Sequence, residues 1–199
     1  MIKLFEQSQT ETEVAIDKFL KGLEISSEKT LKELFKLILK DVTTKKGRLE
    51  VDDDLINRVR QYVIDATNKS TYEANVLKFI DSAKDVGRTD IQINKELGNK
   101  VSQKVADRLL NNNGIFTDGL TKGGYEVNVV NKVQNILYQG MYNNISVVDL
   151  QGNLEKYFMG QSTNDTGDLV KWARQVAKDA IYQYKGELNA GISDELGLN

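Results

Sequence analysis

The 199-residue chain contains no proline. At the average usage of about 5%, roughly ten would be expected in a chain this long. Proline removes a backbone donor and clashes with the preceding turn, so its absence permits long, unbroken helices. The apolar residues use that freedom: nearly throughout, they recur every three or four positions, the period of a helix with one buried face. After Ser26-Ser27 the stripe runs Leu31, Leu34, Phe35, Ile38, Leu39 and Val42, with Thr30 and Glu33 in capping-box spacing, although Ser26 or Ser27 would cap the helix earlier. It stops at Thr43-Thr44-Lys45-Lys46-Gly47, where Gly47 suits the left-handed backbone of a turn.

Asp52-Asp53-Asp54 then opens a second helix over Leu55, Ile56, Val59, Tyr62, Val63 and Ala66, with three carboxylates at the positive end of its dipole. A third is predicted from Ser70 and Glu73 through Val76, Phe79, Ile80 and Ala83 to a stop at Gly87, and a fourth from about 94 to 110. Asn111-Asn112-Asn113-Gly114 is a turn signal, and Gly114, Gly119, Gly123 and Gly124 crowd the stretch that follows. Two further helices are expected at about 125–139 and 147–158, the second starting at Ser146 and Asp149; only Tyr125–Val129 alternates as a strand would. Gly160 through Gly167 is polar, the composition of a mobile link. From Asp168 to about Leu196 lies the longest pattern, with Leu169, Ala173, Val176, Ala180, Tyr184, Leu188, Ile192 and Leu196 on one face. The predicted fold is all-α and elongated, with a long C-terminal helix. It divides into an N-terminal helical region (1–113), a Gly-rich connector (114–124) and a C-terminal helical region (125–199).

The composition narrows the chemistry. Without cysteine or histidine the chain has no disulfide, no thiolate metal site, no cysteine nucleophile and no imidazole base. A net charge of −2 and a pI near 5.4 are unlike a constitutively basic nucleic-acid module. No apolar run approaches the roughly 20 residues of a membrane span, and the start Met1-Ile2-Lys3-Leu4-Phe5-Glu6 does not read as a signal peptide. A soluble chain made in the cytosol, with no cofactor, is the expectation.

Four motifs invite a chemical reading and have a blander one. Asp41–Gly47 departs from a calcium loop, because Lys45 stands at a ligand position and Gly47 comes one residue late. Asp52-Asp53-Asp54 is explained by helix capping. In Gly119-Leu120-Thr121-Lys122-Gly123-Gly124 the lysine precedes the glycines, the reverse of a phosphate loop. Asp165-Thr166-Gly167 has no second carboxylate on a β scaffold, as an aspartic protease requires. On the last helix Trp172 reads as a core or interface anchor, and Tyr182 and Tyr184 point to different faces. Lys171, Arg174 and Lys178 form a basic row, a solvated face in the ordinary case and a set of phosphate contacts in the other.

The run from Trp172 to Asn189, continuing through Ile192 to Leu196-Gly197-Leu198, resembles the long helix of phage minor head proteins. These form the Mu F-like, portal-associated head-morphogenesis family, here in the form found in phages of Bacteroidetes hosts. Lys178, Asp179, Ala180, Ile181, Gln183 and Tyr184 carry the likeness. Lys45-Lys46-Gly47-Arg48-Leu49 leading into Asp54-Leu55-Ile56 is similar to the turn before an early helix of such proteins. Asn144 through Leu150, with Leu154 and Tyr157, is similar to the short helix before the long one. Relatives continue into a smaller mixed α/β portion where this sequence stops at Asn199, so the chemistry of that portion is not assigned to it.

The resemblance implies a non-enzymatic minor head or portal-vertex component, made in the bacterial cytoplasm and residing in the virion in several symmetric copies. Portal, neck or capsid proteins would be its partners, with packaged double-stranded DNA a further one and no membrane. The expected docking face is Trp172, Val176, Ala180, Tyr184, Leu188, Ile192 and Leu196, a stripe too long for a short polar tail to cover. The alternatives are an internal DNA-contacting virion protein delivered with the genome and, last, a carboxylate- and metal-dependent enzyme.

Overall fold

A computed structural model describes residues 1–160 and 167–197. Asp165, Thr166 and Leu198, together with the rest of 161–166, lie outside the described residues. The described chain is all-α apart from one small hairpin.

Helix α1 runs unbroken over Ile2–Asp41. The helix start expected near Ser26-Ser27 does not occur: Ser26 Oγ donates to the Gly22 carbonyl at 2.9 Å, so a hydroxyl that read as a cap is used inside the helix. At about 1.5 Å per residue α1 spans roughly 60 Å. A compact sphere of this many residues would measure only roughly 40 Å across, so α1 sets the long axis.

The chain then turns through a hairpin of β1 (Thr44–Lys45) and β2 (Arg48–Leu49). Its two-residue turn, Lys46-Gly47, has φ of 52° and 74°, the left-handed pair that matches strand twist. Helix α2 (Asp53–Lys69) starts where the aspartates predict, with the Asp52 carboxylate accepting from the Leu55 N–H at 2.9 Å. Helix α3 (Tyr72–Glu96) runs through Gly87 rather than ending there. A Cβ at Gly87 would lie 2.9 Å from Leu110 Cδ2 and from Tyr184 Oη, so this glycine permits close helix packing. The predicted helix over 94–110 is therefore divided, with a turn at Gly98 (φ 93°) before α4 (Gln103–Leu110), which Ser102 caps.

The Gly-rich stretch is not a connector. It forms α5 (Gly114–Leu120), whose Phe116 and Leu120 are fully buried, and then α6 (Gly123–Tyr125). Helix α6 continues through a π-helical turn at Glu126–Val130 into α7 (Asn131–Tyr142), so the strand-like alternation at Tyr125–Val129 is helical in the structure. Helix α8 (Val147–Met159) begins with the Ser146/Asp149 capping box, and α9 is Asp168–Glu195.

Two cores lie along α1. One combines the N-terminal half of α1 with α3, α4, α5 and α9; through its centre Phe19 stacks on Phe79, Phe79 meets Phe116 edge-on, and Phe116 meets Tyr184 at a tilt. The other combines the C-terminal half of α1 with α2, the π turn, α7 and α8. Each mixes early and late sequence, so packing follows a division different from 1–113 against 125–199.

Candidate functional site

The expected docking face on α9 is occupied by the protein itself. Ala180, Tyr184, Leu188 and Ile192 are 1–3% exposed inside the first core, while Val176 and Leu196 are half-buried against it and Trp172 touches both cores. The covering comes from within. Tyr184 donates to the Leu110 carbonyl at 3.3 Å, Gly119 approaches Val176, and Gly191 approaches Leu109. The inference of a bare flank is thus corrected: α1, α3, α4 and α5 together supply more cover than any C-terminal tail. Lys171, Arg174 and Lys178 are exposed on the opposite side, with Lys171 paired to Asp168 at 3.6 Å.

A buried polar junction, which the apolar pattern does not reveal, ties α9 to α1 and α3. Lys185 Nζ donates to Ser8 Oγ at 2.8 Å and to Thr12 Oγ1 at 3.3 Å. Ser8 donates in turn to one oxygen of Asp90, and the other lies 3.7 Å from Lys185 Nζ, an ionic contact without a hydrogen bond. Asp90, Ser8 and Thr12 are at most 5% exposed. A serine beside a lysine is the layout of one nucleophilic dyad. Here, however, the lysine donates to the hydroxyl and the hydroxyl donates to the Asp90 carboxylate, so Lys185 is not placed as the base of such a dyad. The group acts as a polar bolt that holds three helices in one register. Spacing places Ser8 and Thr12 on one face of α1 and Asp90 in register with Ala83 and Val86 on α3, but it carries no sign that these residues meet Lys185.

A cleft of about 460 Å³ opens beside the π turn, between α2 and the start of α3 on one side and Thr121–Val130 on the other. Arg60 grips Glu126 through two hydrogen bonds, of 2.9 and 3.1 Å. Asn128 Nδ2 donates to the Gly124 carbonyl at 2.9 Å, and Tyr157 donates to the Asn128 carbonyl, so side chains partner backbone groups around the irregular turn. Tyr72 donates to the Leu120 carbonyl at 2.6 Å, and Tyr125 pairs with Thr67. Burial pushes the Tyr125 hydroxyl up to about 12, although the Thr67 hydrogen bond pulls it down, and it raises Tyr72 and Tyr157 as well. These hydroxyls stay neutral near pH 7 and serve as fixed donors. Glu126 compensates the charge of Arg60 beside the cleft.

The remaining motifs are absorbed by the fold. Asp41 accepts from Tyr62 and pairs with Arg58 at 3.3 Å, and Asp52 is a cap. Lys122 pairs with Asp118 at 3.1 Å, while Gly124 is pressed against the backbone of Gly119. Among the described residues no cluster of three or more acidic side chains could hold a metal ion, and no helix is long and apolar enough to cross a membrane. Compared with family models, curated proteins and solved structures, the chain matches none.

Proposed function

We propose that the protein is a structural assembly component, a minor head or portal-vertex protein of a tailed phage, docking through the N-terminal tip of α1 and not along α9. The observation that carries this reading is the tip of α1. Helix α1 projects a roughly 60 Å axis, and Met1, Ile2 and Phe5 on its first turns are 55%, 76% and 52% exposed. The Met1 amino group lies 3.7 Å from Glu96, which brings the half-exposed Leu97 to the same tip. Apolar side chains gathered at one end, away from both cores, suit insertion into an apolar groove on a partner. The buried polar groups of the Lys185 bolt, by contrast, are spent on packing, and the exposed Arg60 is matched by Glu126. The sequence resemblance to head-morphogenesis proteins supplies the kind of partner.

The experiment is co-expression with the portal protein of the same phage. Wild-type chain should co-purify with it, and Ile2→Ser with Phe5→Ser should not, while circular dichroism and melting stay unchanged because neither side chain is buried. Co-purification that survives the double substitution overturns the proposed docking end. No co-purification of the wild type overturns the portal reading.

A further inference from the structure

Two segments far apart in sequence, each without a carboxylate of its own, meet at one junction. Residues 42–49 carry Lys45, Lys46 and Arg48, residues 127–148 carry Lys132, and neither contains Asp or Glu. These four cations leave a net charge of −6 on the remainder, since the whole chain stands at −2. The fold joins the segments rigidly. Leu49 N–H donates to the Ile145 carbonyl at 2.9 Å, Asn144 Nδ2 to the Leu49 carbonyl at 2.6 Å, and an Arg48 guanidinium nitrogen to the Asn144 carbonyl at 3.0 Å.

This junction also holds both described non-glycine residues with positive φ, Lys46 and Asn144, each at 52°. Asn tolerates that conformation. Lysine does not favour it, at a cost of about 1–2 kcal/mol, and the first position of such a turn ordinarily takes Asn, Asp or Gly. A cation is thus held at the hairpin tip against local preference, as happens where a side chain has work to do. Two residues before Asn144 stands Tyr142, 72% exposed and stacked on Tyr138 with ring centroids 6.2 Å apart. Lys132, Asn135 and Gln139 complete the solvent face of α7. The bordering carboxylates are accounted for: Ser146 holds Asp149 beside Arg48, Arg58 and Tyr62 hold Asp41, Asp168 pairs with Lys171, and half-buried Glu50 follows the hairpin.

We infer that this face binds single-stranded nucleic acid, with Lys45, Lys46 and Lys132 on phosphates and Tyr138 and Tyr142 stacking on unpaired bases. Cations interleaved with exposed aromatic rings and amide side chains provide charge neutralisation and sequence-tolerant stacking together. An acidic protein surface would match the charge but would make no use of the ring faces. The inference does not need the virion reading; it concerns the hairpin end of α1, whereas the portal contact is assigned to the other tip.

The test is fluorescence anisotropy of a labelled oligothymidine with the full chain, titrated with salt. Binding at low salt should weaken roughly tenfold or more for Tyr138→Ala with Tyr142→Ala. Lys45→Gln with Lys46→Gln should flatten the dependence of log K on log salt by about 1.4, two phosphates' worth. A duplex of equal length should bind more weakly than the single strand, and Lys171→Gln with Arg174→Gln and Lys178→Gln should change nothing. Circular dichroism checks that each variant folds. The inference fails if the wild type does not bind at low salt, if the patch variants bind as the wild type does, if duplex binds as well as single strand, if the α9 variant alone loses binding, or if polyglutamate competes as well as unlabelled oligothymidine.

Discussion

Replacing Leu188 by alanine decides whether the stripe on α9 belongs to the core or to a partner. Leu188 is 1% exposed and packs beside Gly87 of α3, with its Cδ1 only 3.1 Å from where a Cβ on that glycine would stand. The long helices on both sides restrict collapse into the space left behind. Leu-to-Ala changes in such sites cost about 2–5 kcal/mol, and about 3 kcal/mol is expected here. For a protein of this size each kcal/mol lowers Tm by about 2–4 °C, so the loss is roughly 6–12 °C. Thermal melting followed by circular dichroism measures it, and urea titration should show a lower midpoint at unchanged m. Half-buried Leu196 should cost less when treated alike. A surface meant for a partner gives a different result: Leu188→Ala would stay within about 0.5 kcal/mol of wild type, or the loss would vary with protein concentration as a second copy came on and off. Either result refutes the intramolecular packing argued above.

The glycines give a paired test. Gly124→Ala places a Cβ 2.0 Å from the Gly119 carbonyl oxygen and should destabilise by more than about 2 kcal/mol, whereas Gly186→Ala, with open space around it on α9, should stabilise by about 1 kcal/mol, both read by urea unfolding. Lys185→Met leaves Asp90 buried without its cation and should cost about 3 kcal/mol; adding Asp90→Asn should recover part of that, and strictly additive losses would show that the bolt does not act as a unit. Burial raises the Tyr125 and Tyr184 hydroxyls to about 12 from an ordinary 10.0. The folded state therefore holds these protons more tightly, so their contribution is complete below pH 10 and is lost as pH rises from about 10 towards 12. Tyrosinate absorbance of the buried rings should rise together with the loss of helix, and ionisation well before unfolding would contradict their burial.

Local signals were legible where a residue acts on its own backbone neighbours. Missing proline and three-to-four spacing announced an all-α chain, Asp52 and the Ser146/Asp149 pair marked helix starts that the structure keeps, and Gly47 marked a left-handed turn, which the structure places in the hairpin after the first helix. Capping and φ preferences need only a few adjacent residues, so one sequence carries them. Signals that depend on distant partners misled. Ser26-Ser27 read as a cap and Gly87 as a stop, yet both lie inside helices, because Asn75 Nδ2 reaches the Gly22 carbonyl and Ser26 Oγ, and Tyr184 and Leu188 press on Gly87. An apolar stripe says that a face must be covered, but not by what: whether α1, α3, α4 and α5 or another molecule meets α9 is decided by how the chain folds back on itself. The same holds for Ser8, Asp90 and Lys185, and for the cationic hairpin beside the tyrosines of α7. Their proximity comes from long-range packing, which no spacing along the chain encodes.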